Sequence, residues 1–415
     1  MTDALSSNAP RQDWRILLAI FWLTSMVESL GISQVFALLP LYLRQMGVPE
    51  VDRLAFIGLF SSLIFVVGMP LVPLWGVWAD KYSRKAVIVR SAIVEAAVYA
   101  GVALSREPWQ LALSMLLIGF QLGNTGVMLA AIRDVAPRAR LGAVMGVFGA
   151  SSAVGMATGP FLAGILIDGF GWQIAAVFGL SAVLSVGTAA LVTFGSREVR
   201  PEVVPEGGVI HLAFGAVRGV LGDAAVRRIF IIFGISFLAN QMSRPYLPVR
   251  VEDIVGTGPG LASAIALVMG TAALVGGLIG PIGGALGDRV GFRTVLAAAL
   301  AGGGSALVLM PFVPALSGLA ILSVATAAAT ATISAMVFGL VATEVGPERR
   351  SATLNLVYLP LYAAGIIGPT LGAIFAAGFG LAGPFVVGGI LFLVSSAVIS
   401  LRRASRRSSE ATAAT

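Results

Sequence analysis

The 415-residue chain contains no cysteine and one histidine, and only 11% of its residues are charged. The absence of cysteine excludes disulfides and thiol catalysis, and a single histidine cannot build the ligand clusters of a zinc site. The sequence also has no serine–histidine–aspartate set, phosphate-binding loop or ATPase segment. An enzyme is therefore not expected, and we predict no metal and no cofactor. Soluble domains carry about 25% charged residues, so the low charge content indicates a membrane protein.

Long apolar runs fill most of the chain, and hydrophobic residues make up 57% of it. A stretch of about 20 apolar residues is long enough to cross a bilayer as a helix. Twelve such stretches are present, which predicts an all-α membrane protein with 12 transmembrane helices in two six-helix bundles. The predicted spans are 15–43, 54–79, 86–104, 109–132, 141–166, 172–194, 228–250, 259–286, 293–312, 314–342, 351–378 and 381–401.

The longest polar stretch lies between spans six and seven. It divides the chain into an N-terminal bundle, a linker, a C-terminal bundle and a short polar tail. A short helix on the membrane surface is expected over 211–226 within the linker. The predicted limits of the four parts are 1–194, 195–227, 228–401 and 402–415.

Positive charge is distributed unevenly about the membrane. If the spans alternate in direction, 22 of the 27 lysines and arginines fall on one side, which we call the basic side. The opposite side receives Arg44, Arg53, Arg106 and Arg250, and Arg244 lies inside a span. Basic residues accumulate in cytoplasmic loops, so both termini are predicted to be cytoplasmic. The net charge of +7 is then explained by topology, and no nucleic-acid partner is expected.

A short charged motif occurs twice, and its two copies are 208 positions apart. Further landmarks repeat at nearly the same spacing, so the chain is interpreted as a tandem duplication with two pseudo-symmetric halves. A membrane protein of this kind suits a transporter, because a site between two bundles can open to either side as they rock. The repeated features are Gly76 to Lys85 with Gly284 to Arg293, Pro40 with Pro248, and Gly159-Pro160 with Gly368-Pro369.

On these motifs the whole chain resembles the major facilitator superfamily of transporters, whose loop motif is G-x-L-a-D-r-x-G-r-[KR]. The resemblance predicts that Asp80 faces the N-terminal end of span eleven and that Arg84 bridges to Asp134. Such contacts would act as cytoplasmic latches that break when the bundles rock, although the same charges could serve only to set topology. The predicted latch residues are Gly76, Asp80, Arg84 and Asp134, with Gly284, Asp288, Arg293 and Glu344 in the second half.

Span five carries a second motif, formed by Gly146, Gly155, Gly159, Pro160 and Gly164. It resembles the motif G-x8-G-x3-G-P-x2-G-G of drug:proton antiporters. The resemblance implies a span packed tightly against its pseudo-symmetric partner, and it points to export. The alternative is ordinary close packing of helices through small residues.

Ionisable residues inside membrane spans are costly and usually functional. Glu28, in the middle of span one, is the predicted proton-coupling residue; its alternative role is that of a neutral carboxyl group that only stabilises packing. Arg244 either binds an anionic group or a carboxylate of the other half, or extends towards the membrane interface. Glu95 is a third candidate, in a span that the resemblance places at the periphery. Gly119 stands where proton-coupled relatives often carry an arginine.

The resemblance places spans one, four, seven and ten around a central cavity. A mostly apolar cavity suits amphiphilic or hydrophobic solutes and argues against sugars. The predicted cavity residues are Gln34, Gln121, Asn124, Thr125, Asn240 and Gln241, with aromatic walls from Phe36, Phe120, Phe237 and Tyr246.

The predicted function is that of a secondary transporter resembling bacterial 12-helix drug:proton antiporters. It would export small amphiphilic or hydrophobic compounds in exchange for protons, by alternating access. Its predicted partners are a small-molecule substrate, protons and the lipid bilayer, and it would act as a monomer in the bacterial inner membrane. The alternatives are a flippase for lipids or amphiphiles, an exporter of one metabolite, and a transport-inactive membrane receptor on the same fold.

Overall fold

The computed structural model describes residues 12–201, 204–344, 356 and 359–413, and every regular element within them is helical. Helices are expected, because a segment inside a bilayer has to satisfy its backbone polar groups internally. Eleven helices of the described part are long and apolar enough to cross a membrane. The α-helices are α1 Trp14–Gln45, α2 Glu50–Val66, α3 Gly68–Lys81, α4 Arg84–Leu104, α5 Pro108–Ile118, α6 Asn124–Val135, α7 Leu141–Gly164, α8 Ile174–Gly195, α9 Val209–Gly222, α10 Ala224–Ser243, α11 Leu247–Val255, α12 Leu261–Val290, α13 Phe292–Leu309, α14 Leu316–Glu344, α15 Leu359–Phe379 and α16 Ala382–Ala413.

Three of the twelve predicted spans are interrupted. Span two consists of α2 and α3, and span four of α5 and α6, which are separated at Gly123. Gly123 has a φ of +101°, a conformation that glycine reaches without strain. Span seven, which is not one of the eleven, consists of α10, the 3₁₀ turn Arg244–Tyr246 and α11. Pro245 and Pro248 lack the N–H groups that a continuous helix would need there.

The two halves of the chain repeat the same packing. In the first half α1 packs against α7, and α4 against α8; in the second half α10 packs against α15, and α13 against α16. These pairs correspond under the offset found in the sequence. The halves meet where α7 packs on α12 and α2 packs on α15. The exact limits of the two bundles stay a prediction.

The linker between the halves contains helix α9, where a surface helix is predicted. It begins two residues earlier than expected and packs against α3 and α10. The Lys81 ammonium group donates a hydrogen bond to the carbonyl of Gly207, just before α9 begins. The linker is therefore attached to the first half on the basic side.

Among the described residues, the interface between the halves is closed on the opposite side and open on the basic side. Contacts between α7 and α12 run from Ala153 and Gly277 to Gly164 and Ala266, where a Cβ atom at Gly164 would lie 3.0 Å from the Ala266 Cβ. Nearer the basic end of the same two helices the glycines face open space, with no heavy atom within 4 Å of a Cβ position. These glycines are Gly142, Gly146, Gly149 and Gly284.

Candidate functional site

A cavity of about 440 Å³ lies at the interface between the two halves. This volume is within the range of small-molecule sites. The first half contributes α1 and α7, and the second half contributes α10, the turn Arg244–Tyr246, α11, α12, α13, α14 and α16. The walls are mainly apolar, with hydroxyl groups from several serines and threonines. Representative lining residues are Ser33, Met156, Asn240, Arg244, Met269, Thr330 and Phe385.

Among the ten predicted cavity residues, Asn240 lines this cavity, and its side-chain amide donates to Thr330 Oγ1 at 3.2 Å. Gln34 does not line it and instead joins three helices of the first half. Its amide donates to the Gly159 carbonyl at 3.3 Å, and its oxygen accepts from the Ser181 hydroxyl at 2.6 Å. Gln241 is buried against Gly368, where α10 and α15 approach closely.

The remaining predicted cavity residues lie around the cavity rather than in its wall. Phe237 packs on Phe233 with ring centroids 4.6 Å apart, and Tyr246 is fully buried. Phe120 is exposed and Thr125 is half-buried. Spans one and seven do line this cavity, but through other residues apart from Asn240, and span four contributes none of its lining residues. Three further predicted cavity residues also lie outside the wall. Phe36 lies beneath Arg244, and Gln121 and Asn124 belong to a polar cluster around Glu28 in the first half.

Arg244 lies in the cavity wall at the break between α10 and α11. Its guanidinium stacks on the ring of Phe36 at 4.5 Å and donates to Met156 Sδ at 3.8 Å. Both partners belong to the other half of the chain. The side chain therefore crosses the interface inside the cavity and does not extend towards the membrane surface.

Glu28 is part of the polar cluster in the first half. Its carboxylate accepts a hydrogen bond from the Asn124 amide at 3.1 Å, and Gln121 lies beside it. The side chain is half-buried and is not one of the residues that line the cavity. Its neighbour Ser29 exchanges a 2.9 Å hydrogen bond with Ser152, which does line it. Glu28 is thus connected to the cavity wall only through its neighbour Ser29.

Glu95 lies deeper in the same cluster and is 3% exposed. It does not face lipid, in contrast to the peripheral position that was predicted. Tyr99 and Ser185 flank it, and Glu28 lies close enough for the two carboxyl groups to influence each other. A Cβ atom at Gly31 would overlap the Tyr99 ring, so this glycine makes room for the ring beside α1. The first half therefore contains two interacting carboxyl groups in its interior.

Arg90 is a member of this cluster that the sequence prediction missed, because it was counted with the basic-side charges. Its guanidinium stacks on Trp75 at 3.7 Å, donates to the Ser91 hydroxyl at 2.7 Å and interacts electrostatically with Glu28. The signal was available, because Arg90 falls inside the predicted span 86–104, five residues before Glu95.

The first copy of the repeated motif forms an ion-pair network on the basic side. The buried Arg84 contacts Asp80 at 2.9 Å and Asp134 at 2.6 Å, so three helices are joined through one guanidinium. The Arg84 N–H also donates to Glu198 at 2.9 Å. Ser83, where the motif usually has glycine, caps α4 by accepting from the Ala86 N–H at 3.0 Å.

The second copy is described only in part. The side chain of Glu344, predicted to pair with Arg293, lies outside the described residues, as does the beginning of span eleven that Asp80 is predicted to face. Gly76 and Gly284 border open space, and Asp288 belongs to the last turn of α12. The two predictions about contacts therefore stay predictions.

The opposite side carries an ion-pair network between the halves that the sequence analysis did not predict. Glu252 of α11 contacts Arg44 at 2.8 Å and Arg53 at 3.2 Å. The Glu252 and Arg53 side chains are each 8% exposed. Arg44 and Glu252 are 208 positions apart, the offset of the duplication. The signal was therefore present, since two equivalent positions carry opposite charges.

Further hydrogen bonds close the opposite side. Asp168, in the π-helical turn Ile165–Gly169 that follows α7, accepts from the Ser263 N–H at 2.6 Å, which satisfies a free donor at the start of α12. The Tyr246 hydroxyl donates to the Leu54 carbonyl at 3.2 Å. The hydroxyl groups of Ser62 and Thr370 lie 2.9 Å apart, between α2 and α15.

The glycines of the predicted antiporter motif pack α7 against α1 and α12. A Cβ atom added at Gly155 would overlap the carbonyl oxygen of Met26. A Cβ atom added at Gly159 would overlap the Ser33 hydroxyl and the carbonyl oxygen of Leu30. Gly164 faces α12 instead. In the described residues the main partners of α7 are thus α1 and α12, so the prediction that span five packs on its pseudo-symmetric counterpart, span eleven, is wrong.

Alanine at Gly159 and at Gly146 should have opposite effects on stability. At Gly159 the added methyl group overlaps α1, so the free energy of unfolding should fall by about 1–3 kcal/mol. At Gly146 it meets open space, and the better helix propensity of alanine should add about 0.5–1 kcal/mol. Thermal unfolding of the purified variants measures both changes. Equal melting temperatures for the two variants would contradict the packing described here.

Comparison with known proteins agrees with this architecture. A family model described as Major Facilitator Superfamily matches residues 13–279 and 229–415. The multidrug resistance protein MdtG of Dickeya zeae is 29% identical over 401 residues, which are 95% of this chain and 97% of that protein. MdtG of Escherichia coli O81 is 27% identical over 402 residues, with coverages of 95% and 97%.

Two solved structures illustrate the likeness of fold. A bacterial homologue of the human lysosomal transporter Spinster, inward-facing and occupied, has a TM-score of 0.75 at 15% identity, covering 95% of this chain and 96% of that one. The human organic anion transporter MFSD10 has a TM-score of 0.67 at 18% identity, with coverages of 94% and 100%. With its two similar halves, its repeated motif and its interfacial cavity, the chain belongs to the major facilitator superfamily.

Proposed function

We propose that the chain exports small amphiphilic or hydrophobic compounds across the bacterial inner membrane in exchange for protons. The observation that supports this most is the cavity between the two halves, which is closed on the opposite side and open on the basic side. A site in this position reaches either side by rocking of the halves. The full-length similarity to multidrug resistance proteins favours export of several compounds over one.

The orientation follows from the distribution of charge. The basic side is cytoplasmic, since lysine and arginine accumulate there, and both termini lie on that side. The structure then represents the inward-open state, in which substrate enters from the cytoplasm. The transporter works as a monomer, because the cavity is built within one chain.

Two sets of charged contacts form in turn during transport, one on each side of the membrane. The pairs of Glu252 with Arg44 and Arg53 hold the external side closed in the inward-open state. The latch residues of the repeated motif, with Asp80 and Asp288 as their acids, hold the cytoplasmic side when the external side opens. The contacts of Arg84 with Asp80 and Asp134 lie within the first half, where they hold α3, α4 and α6 together.

Proton coupling is assigned to Glu28, with Glu95 as the second carboxyl group of the relay. Glu28 lies in the polar cluster of the first half, and a charged carboxylate in this setting requires compensation from a nearby cation or a proton. Arg90 supplies a positive charge beside it. The cluster thus contains a cation on span three, although Gly119 replaces the arginine expected on span four. Arg244 is assigned to the substrate instead of to the proton.

Glu28→Gln should abolish gradient-driven transport but leave gradient-free exchange. Glutamine resembles the protonated acid and can still accept from Asn124, whereas it cannot release a proton. Efflux of a lipophilic dye from liposomes with an imposed proton gradient should fall roughly tenfold or more, while dye exchange without a gradient continues.

Glu206→Gln is the matched control, because Glu206 is exposed in the linker, and it should transport like the wild type. Undiminished gradient-driven efflux by Glu28→Gln would move coupling to another residue. If the wild type shows no response to the gradient with any dye, proton-driven export is not the function.

A further inference from the structure

Arg244 is a cavity residue whose charge has no acidic partner. Among the described residues that line the cavity there is no aspartate or glutamate. The guanidinium contacts the ring of Phe36 and the sulfur of Met156, both of which are uncharged. Glu28, an acid on the same helix as Phe36, is hydrogen-bonded to Asn124 and lies beside Arg90 instead.

Arg244 is half-buried, and the two buried arginines of the described part are arranged differently. Arg84 contacts two aspartates, and Arg53 contacts Glu252. A charge removed from water is costly unless an opposite charge or several hydrogen bonds compensate for it. A ring face and a thioether compensate only in part. The described cavity wall therefore carries one positive charge without an acidic partner, and an anionic ligand that enters the cavity would supply the counter-charge.

We propose that the cavity selects amphiphiles that carry a single negative charge. The anionic group, such as a carboxylate or sulfonate, pairs with Arg244, whose planar fork of N–H donors fits two acceptor oxygens. The apolar body lies against Met156, Met269 and Phe385. Because the cavity has one arginine, multiply charged anions fit less well. This inference rests on the proposed export function and names its substrate class.

Three fluorescent probes that share one apolar body test the charge preference. Dansylglycine is anionic, dansylamide is neutral and dansylcadaverine is cationic. Their affinities are measured by fluorescence on the full chain in lipid nanodiscs, for the wild type, Arg244→Gln and Arg244→Lys. The wild type should bind dansylglycine roughly tenfold or more tightly than the other two, as expected for a charge-assisted bidentate contact.

The variants should separate charge from geometry. Arg244→Gln should remove the preference, so that dansylglycine binds no more tightly than dansylamide. Arg244→Lys should retain part of the preference, because lysine keeps the charge but not the planar fork. Equal binding of the three probes, a preference for the cation, or unchanged dansylglycine binding by Arg244→Gln would overturn the inference. If Arg244→Gln does not fold, the comparison of the wild type with Arg244→Lys decides.

Transport of the same probes separates this inference from the proposed function. Efflux from liposomes under a proton gradient is measured for each probe. Efflux of the neutral and cationic probes without the anion would overturn the anion preference and leave proton-driven export standing. Arg244-dependent binding of the anion, with no gradient-driven efflux of any probe, would support the anion site and overturn the proposed function.

Discussion

Transport should stop when a disulfide joins Ser62→Cys to Thr370→Cys, and a reducing agent should restore it. The two hydroxyl oxygens lie 2.9 Å apart on α2 and α15, which belong to different halves. Opening the external side requires these helices to separate, and a covalent bond prevents that step. Gradient-driven efflux from liposomes, measured before oxidation, after it and after reduction, should fall roughly tenfold or more and then recover.

The matched control places a disulfide within the first half. In Gly101→Cys/Ser114→Cys the Cβ atoms would lie 3.7 Å apart, close to the ideal separation of about 3.8 Å. Helices α4 and α5 move together when the halves rock, so this cross-link should leave transport unchanged. The chain has no cysteine of its own, so only the introduced thiols react. Full transport by the oxidised cross-half variant would exclude alternating access by separation of α2 from α15.

Glu252→Gln should shift the protein towards its outward-open state. Without the carboxylate, Arg44 and Arg53 lose the counter-charge that they share, only the exposed Glu50 remains 3.9 Å from Arg53, and opening admits water to both arginines. Removing one partner of a buried ion pair costs about 3–5 kcal/mol. Even the lower figure changes the balance between two conformations roughly 100-fold. Spin-label distances between Val51→Cys and Gly258→Cys, which are exposed on the external side of different halves, should therefore lengthen.

Asp253→Asn provides the control from the neighbouring position. Asp253 pairs with Arg250 on the same helix at 2.8 Å, and its side chain is 57% exposed. Exposed pairs contribute about 0–1 kcal/mol, and this one does not connect the halves. Its removal should leave the distance distribution unchanged. Identical distributions for Glu252→Gln and the wild type would show that the ion pairs do not hold the external side closed.

The ion pairs show which contacts can be predicted from a sequence with an internal repeat. The contact of Arg84 with Asp134 follows from the motif, because both residues occupy positions that the resemblance defines. The contact of Arg44 with Glu252 was implicit in the 208-residue offset that also relates Pro40 to Pro248. The repeat identifies these positions as equivalent, but only the fold shows that they meet where the halves touch.

The cavity-lining residues, in contrast, were mostly not predicted from the sequence. Gln34 and Phe237 are on suitable helices, yet they face neighbouring helices. Each residue turns a helix by about 100°, so a small error in the rotation of a span exchanges its cavity face for a packing face. Met156 and Phe385 line the cavity from helices that were not considered.

A helix terminus gives a similar result. The resemblance predicts that Asp80 faces the N-terminal end of span eleven. A carboxylate in that position can accept hydrogen bonds from the free N–H groups of the first turn. In the described residues this arrangement occurs at Asp168, whose carboxylate accepts from the N–H of Ser263 at the start of α12. The principle holds on the side opposite the basic side, at a residue that carried no motif.

The sequence by itself determined the membrane location, the helical spans, the duplication and the family of this protein. These properties depend on the length of apolar runs and on spacings along the chain, which are local. Only the tertiary structure decided which faces line the cavity, that Arg90 lies beside Glu28, and that Arg244 has no acidic partner in the cavity wall. Those relations depend on the tilt and rotation of helices far apart in sequence, which are set by packing across the interface.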